Sequence, residues 1–369
     1  MRNFIVLFLA LSIVYGVFSQ EIIENPEKPT SRKAGRTIEL REEMRISDEQ
    51  GGFYFKNPGD IKVAPDGNLF VVDGEQFLKF DTKGKFMKNL FRKGEGPGEF
   101  QSIENYLLCG DEIIVHQARP NKIVRMDSEG RFIKEFKPEK AVSRLIEVFK
   151  DKYIMTRSSF PVLKKEGTEP EIIDVDWSLL LVSEEGRVEE TGQIFPAKWF
   201  AKRLPKAIIA NNITDLSCIL YESKYLVIHH AQDYLLKVLD LEKNRIVRTF
   251  SRKYKSVKRR HGKEKIKEGR AHQYTLEPPV DYYNDIQRIF IHQDNIWVLT
   301  STWNENKGIL VDVFNIEGEY VDNFYLQLSR KVSRDDLMRY PLTISDDSLF
   351  IVETDENEVP TVVKYKIIT

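Results

Sequence analysis

The chain has 369 residues, 41% apolar and 31% charged, and its 56 basic and 57 acidic side chains leave a formal net charge of -1. That length suits one large domain or two ordinary ones, the composition is that of an ordinary globular protein, and charge this balanced argues against a general nucleic-acid binder. Two cysteines, Cys109 and Cys218, are too few for a disulfide scaffold; each lies in an apolar strand-like stretch and reads as a buried free thiol.

In chain order, the basic lead Met1-Arg2-Asn3 is followed by the uncharged run Phe4 to Phe18, and Val17 and Ser19 are small enough to precede a cleavage point. Residues 1–19 therefore read as a secretory signal peptide, because the apolar run is shorter than the roughly 20 residues that span a bilayer. No later segment is long and apolar enough to span. Residues 20–36 read as a flexible N-terminal lead and 37–369 as one repeat domain.

From Asp60 the sequence DIKVAPDGNLFVVDGEQFLKFDTKGKFMKNLF divides into four short strands separated by Gly and Asp turns, the pattern of an antiparallel meander. The same order returns from Glu104, where MDSEGRFIKEF nearly copies FDTKGKFMKNLF, and again from Leu145, Asp215 and Asp285. A sixth copy from Pro341 ends after three strands, while Gly35 to Ser47 (GRTIELREEMRIS) has no partners of its own. The pattern predicts an all-β fold, a six-bladed β-propeller of four-stranded antiparallel blades, closed by residues 37–47 pairing with the strand around Val362 to Ile367. Between copies one and two, RKGEGPGEFQS (Arg92 to Ser102) reads as a joint: glycine permits the reversals and Pro97 fixes one of them. No helix opens after it and no Gly-Lys-Ser or Gly-Lys-Thr follows, so it is not a phosphate loop.

GEGPGEF, the strand pair PDGNLFVVD and the turn FDTKG are similar to six-bladed propellers related to NHL-repeat proteins. More narrowly, they resemble the exported bacterial group known as six-bladed beta-propellers. The resemblance runs from about Thr37 to the C-terminus and is closest in the first two copies; Asn244 replaces the turn glycine in the fourth. It implies export, periplasmic or extracellular, and a binding or scaffolding surface, without one agreed chemistry.

Aligned by their apolar cores, the second strands of the six copies end at Asp73, His116, Thr156, His229, Thr300 and Glu353. A shared position predicts side chains facing similar directions on one face of the fold, as a polar ring. They read either as caps on local backbone groups or as a ligand site. In the second case Asp73, His116, His229 and Glu353 suit a transition metal better than calcium. No HEXXH or GXSXG motif is present. A second candidate is Ser251 to Arg270, with ten Lys or Arg against two Glu. There Lys258, Arg259, Arg260 and Lys263 would form an anion-binding rim beside Tyr274, Tyr282 and Tyr283, unless the run is a solvated loop. Phe195 to Ile208, with Trp199 and Phe200, reads as a similar inserted loop. The sequence thus predicts an exported, non-catalytic propeller that binds a glycan, peptide or partner protein, an anionic one if the rim is used, with no cofactor and no nucleic acid. The alternative is an enzyme using the polar ring, a metal-assisted lactonase-like hydrolase or a polysaccharide lyase.

Overall fold

Four apolar residues in a row do not suit a strand with one face in water, yet Leu69 to Val72 are all buried in the computed structural model. The reason is that the sheet they belong to is covered on both sides. Leu69 and Val71 pack with Phe350 and Val352 on one side; Phe70 and Val72 pack with Ile113 and Val115 on the other. The structure describes residues 22–159, 169–204, 208–259, 278–328, 337, 340–354 and 359–368.

Among these residues the fold is all-β, built from consecutive antiparallel units. Two strands come first, β1 (Ile23–Asn25) and β2 (Arg36–Ile46). The first unit is β3 (Asp60–Val63), β4 (Leu69–Asp73), β5 (Gln76–Phe80) and β6 (Phe86–Asn89). The second is β7 (Asn105–Cys109), β8 (Glu112–Ala118), β9 (Asn121–Asp127) and β10 (Phe132–Phe136). The third is β11 (Arg144–Phe149), β12 (Lys152–Ser159), β13 (Glu171–Val182), β14 (Val188–Arg203) and an added β15 (Ile208–Asn212). The fourth is β16 (Ser217–Tyr221), β17 (Tyr225–His229), β18 (Leu236–Asp240) and β19 (Arg245–Arg252). The fifth is β20 (Ile286–His292), β21 (Asn295–Asn304), β22 (Gly308–Phe314) and β23 (Tyr320–Gln327). The last is β24 (Leu342–Ser345), β25 (Ser348–Thr354) and β26 (Pro360–Ile368).

The first strands of these units touch in a closed circuit: β3 meets β7, β7 meets β11, β11 meets β16, β16 meets β20, β20 meets β24, and β24 returns to β3. β2 supplies the missing fourth strand of the last unit. It pairs antiparallel with β26 from Glu39↔Ile368 to Ile46↔Val362. Its first residues also run parallel to β23, Arg36 against Phe324. The last two units are thereby joined into one eight-stranded sheet.

The repeated turn between third and fourth strands has a physical basis in one side chain. The Asp81 carboxylate accepts the N–H groups of Lys83 and Lys85, and Asp127 does the same for Glu129 and Arg131. Gly84 and Gly130 then take φ of 78° and 75°, a conformation that costs glycine nothing. In the fourth unit Asn244 adopts φ 46° at the corresponding turn, a region asparagine tolerates. Arg92 to Ser102 is a compact joint: Phe100 N–H donates to Arg92 O, Gly94 N–H to Phe100 O, and the Glu99 carboxylate accepts Gly96 N–H. A Cβ on Gly94 would lie 1.9 Å from that carboxylate.

Three expectations need correction. Residues 20–36 are not a free lead from Ile22 onward: β1 runs parallel to β19, Ile23 against Phe250. The Asn25 amide donates to Ser251 O and Gly318 O and accepts from Tyr320 N–H. Phe195 to Ile208 is not a loop insertion, since β14 continues through it as far as Arg203 and Trp199 lies opposite both Ile173 and Asn212. Alternating bulk (Phe195, Ala197, Trp199, Ala201) gives this stretch a strand's period, and Phe195, Ala197 and Ala201 are buried. The cysteines are free but only half-buried; desolvation pushes the Cys109 thiol up to about 11 and Cys218 up to about 12, so neither is a reactive thiolate near neutral pH.

Candidate functional site

The six strand-end residues are all buried, none more than 5% exposed, but they do not share a direction. His116 shares a pleat side with Ile114, which packs against Tyr153 and Met155 of the next unit. Thr156 follows Ile154 in the same sense, and His229 follows Val227. Asp73, by contrast, shares its side with Val71, which packs toward the last unit, and Thr300 and Glu353 likewise follow Val298 and Ile351 toward the preceding unit. Because strand side chains alternate with period two, a one-residue difference in where the apolar run stops divides the six into two sets of three. Among the described residues no group of three or more His, Cys, Asp or Glu is placed to hold a metal ion.

Three of the six, Asp73, Thr300 and His229, bond backbone groups, and Glu353 bonds other side chains. Asp73 accepts the N–H groups of Lys56 and Asn57 at 2.6 and 2.8 Å, fixing the segment that leads into β3. Glu353 bonds Arg45 at 2.9 Å and accepts the Tyr365 hydroxyl, so it ties β25 to the closing strand β2. Thr300 donates to Leu310 O, and His229 Nδ1 meets Leu235 O at 3.1 Å. His116 differs: neither ring nitrogen has a hydrogen-bond partner in good geometry, and neither does Thr156 Oγ1. Desolvation lowers both His116 and His229 to about 4, and at His116 the nearby Asn121 amide offsets it only in part. Both are neutral imidazoles at neutral pH.

The basic segment begins beside a cleft of about 500 Å³ lined by Arg252, Lys253, Tyr254, Lys255, Thr302 and Asn323 among others, with Glu27 the one acid in its wall. Arg252 closes β19 and is buried behind the cleft. Its Nε donates to Asp312 at 2.7 Å, and Tyr254, Tyr234 and Tyr320 surround its guanidinium at 4.7, 5.0 and 5.2 Å. Asp312 also accepts the hydroxyls of Tyr234 and Tyr320 at 2.7 and 2.6 Å. Burial raises the Asp312 pKa, and the Arg252 guanidinium and the two tyrosine hydroxyls oppose that rise; Arg252 itself stays charged at any accessible pH. Lys253 and Lys255 are exposed, with no ion-pair partner among the described residues.

Beyond the cleft, Lys258 bridges to Tyr282, Arg259 N–H donates to Asp281 O, and the Arg259 guanidinium lies 5.4 Å from the Tyr283 ring. Tyr282 and Tyr283 are therefore folded against the basic segment. Arg260, Lys263 and Tyr274 lie outside the described residues. The buried arginine and its tyrosine cage are absent from the sequence reading. The signal was a lone aspartate inside the apolar strand GILVDVF, since a carboxylate at a buried strand position needs a cation or donors. A second cleft, between the second, third and fourth units, was also missed; it contains Trp177 and Trp199.

Comparison with known proteins bears on the fold more than on these clefts. Residues 50–194 match a family described as 6-bladed beta-propeller. A Caenorhabditis elegans protein named as a probable peptidyl-alpha-hydroxyglycine alpha-amidating lyase is 35% identical over 99 residues, 25% of this chain and 28% of its own length. The chain thus spans under a third of that relative. Among solved structures, a Bacteroides fragilis protein described as exported superposes over 95% of this chain and 100% of its own, with a TM-score of 0.51 and 10% identity. Kluyveromyces lactis Hsv2 covers 85% of this chain and 98% of its own at a TM-score of 0.38 and 11% identity. At such identities the first shows likeness of fold alone, and the second is too distant to argue from. What the chain shares with the Bacteroides fragilis protein is an all-β fold, and residues 50–194 carry the family similarity.

Proposed function

We propose that the chain is an exported six-bladed β-propeller that binds an anionic partner, a glycan or a protein, without chemically transforming it. The closed circuit of first strands and the completion of the last unit by β2 support six blades over residues 37–369. The signal-like residues 1–19 support export to the periplasm or beyond. The observation that carries the binding reading is the cleft beside Arg252, where exposed Lys253 and Lys255 lead into Lys258 and Arg259. A buried, caged guanidinium holds the strand end rigid, so the lysines that follow start from a fixed base. Arg260 and Lys263 extend the same rim in sequence. The test is retention on heparin or an acidic polysaccharide at low salt. Lys253→Glu, Lys255→Glu and Lys258→Glu combined should abolish it with an unchanged circular dichroism spectrum, and exposed charges should make it salt-sensitive. Wild-type protein that passes through every polyanionic matrix at low salt refutes the reading.

The similarity to a lyase supports a second, enzymatic reading. In it the strand-end residues Asp73, His116, Thr156, His229, Thr300 and Glu353 would contribute to a ligand site. Amide formation from a peptidyl-alpha-hydroxyglycine, measured with and without added divalent metal, decides between the two; turnover abolished by His229→Ala in a folded variant would establish it.

A further inference from the structure

The cleft between the second, third and fourth units has walls that do not resemble the basic cleft. It measures about 660 Å³, within the range of roughly 300–1,000 Å³ usual for small-molecule sites. Its floor carries Trp177 and Trp199, arranged edge to face with ring centroids 6.1 Å apart at 61°. The unusual length of the third unit puts them there: β14 has 16 residues, whereas the fourth strands β6, β10, β19 and β23 have four, five, eight and eight. The extension carries Trp199, half-buried, against the edge of the core between the third and fourth units, beside Asn212 and Asp215, which also line the cleft.

Two polar atoms in this wall are buried without a hydrogen bond in good geometry. Trp177, only 5% exposed, has an indole N–H with no acceptor, and the Asn121 carbonyl oxygen has no well-aligned donor, although the His116 ring lies beside the amide and the amide nitrogen bonds Val142 O. Unsatisfied buried groups are costly, and ligand hydroxyls can satisfy either kind because they both donate and accept. Opposite them, Arg144 bonds Asp215 at 3.3 Å and Leu216 O at 3.2 Å, and its guanidinium lies 6.0 Å from the Trp177 ring. Charges in the lining balance, Arg119 and Arg144 against Glu104 and Asp215. A strongly anionic ligand therefore gains nothing here, unlike at the lysine-lined cleft. Ser143 and Ser158 add hydroxyls at the wall, mutually 3.4 Å apart. Indole faces, hydroxyls, an amide and a guanidinium–carboxylate pair together match a ligand with one apolar face and several neutral hydroxyls.

We infer that this cleft is a second binding site, independent of the anionic one, for a neutral saccharide, packed on Trp199 and hydrogen-bonded to Trp177 Nε1 and Asn121 Oδ1. The test is affinity electrophoresis of the mature protein in gels containing soluble mannan, dextran, galactan or xylan, at low and high salt. Wild-type protein should be retarded by at least one of these, equally at both salt concentrations. Trp199→Ala should remove the retardation. Asn121→Ala and Trp177→Phe, which keep the indole floor or most of its bulk, should each weaken it about tenfold. The triple lysine variant of the anionic cleft should be retarded like wild type, which separates failure of one site from failure of the other. The inference is overturned if no neutral polysaccharide retards the wild type, if retardation disappears with salt, or if folded Asn121→Ala and Trp177→Phe variants bind as well as wild type.

Discussion

His116 is a titratable side chain with no well-aligned hydrogen bond at either nitrogen, only the Asn121 amide beside it, and no exposure to water, so its removal should change both the level and the pH dependence of stability. In His116→Phe an aromatic ring is kept and both unpaired nitrogens are lost. At neutral pH the variant should match or exceed wild type, because unpaired buried polar atoms cost about 1–3 kcal/mol each. Burial holds the folded pKa at about 4, against the ordinary imidazole value of 6.5 in the unfolded chain. The unfolded chain therefore binds a proton between those values and the folded protein does not, so stability is intact above about pH 6.5 and is lost as pH falls toward 4. The full difference corresponds to ~3.4 kcal/mol, of which ~2.5 kcal/mol is already lost at about pH 4.5. His229, also held at about 4, acts with the same sign. Asp285, raised to about 6 by burial, acts with the opposite sign and offsets part of the loss. Glu129, lowered to about 2 by Lys79 and Lys88, loses its contribution progressively as pH falls from about 4.5 to about 2. Urea unfolding of wild type and variant at pH 7.5, 6, 5 and 4.5 isolates His116, since every other group is common to both. The stability gap should widen by ~2.5 kcal/mol across the series. A gap that stays constant would mean that His116 is hydrated or already paired, and the reasoning would fail.

Asp312→Ala should cost about 3–5 kcal/mol in chemical denaturation, because it leaves Arg252 buried without its counter-ion; a loss below about 1 kcal/mol would show that the tyrosine cage alone holds the cation. Removing residues 22–47 should expose the edges of β23 and β26 and yield aggregated protein by size-exclusion chromatography, whereas a monomer with the wild-type unfolding midpoint would contradict closure by β2. Asn25→Ala should destabilise by about 2–4 kcal/mol, since two carbonyls and one N–H lose their partner. It should also speed amide exchange in residues 23–36; unchanged exchange there would mean that backbone pairing with β19 suffices.

Strand order was legible because the repeat states it locally. An apolar run, a Gly-Asp turn and an Asx-stabilised turn at Asp81 and Asp127 recur in the opening units, and the truncated last copy implied a donated strand. Facing direction was not legible in the same way. Ending every second strand at its last apolar residue treats Val72-Asp73 and Val115-His116 as equivalent, yet register places Val72 opposite Asp60 and His116 opposite Asn105 at the starts of their first strands. The true counterpart of Asp73 is Gln117, whose amide oxygen accepts Gln101 N–H just as Asp73 accepts Lys56 and Asn57. Hydropathy ranks valine and histidine as different kinds of residue, and the pairing register does not. The two clefts were hidden for another reason: each combines residues from at least three distant segments, such as Asn121, Trp177 and Asp215, and no local pattern links them.

The distribution of these features follows from how tightly each unit is bound by its own repeat. The first two units are connected by a joint whose glycines sit close against neighbouring side chains, as Gly94 against Glu99 shows, and the buried side chains of those units pack against their neighbours. The third unit has strands longer than the repeat requires, and the segment after β19 departs from it altogether. There Trp177 belongs to the core between the third and fourth units, with Trp199 half-buried against it, while Lys253 and Lys255 lie exposed beyond the buried Arg252. The N-terminal segment couples to only one of the two sites. Asn25 fixes β1 across the fourth and fifth units and thereby places Glu27 in the wall of the basic cleft, whereas nothing from residues 22–36 lines the tryptophan cleft. Loosening that segment should therefore alter polyanion retention and leave neutral saccharide binding as it was, which makes the two sites separable by a single residue that bonds Ser251 and Lys253 at the basic cleft and touches nothing at the tryptophan cleft.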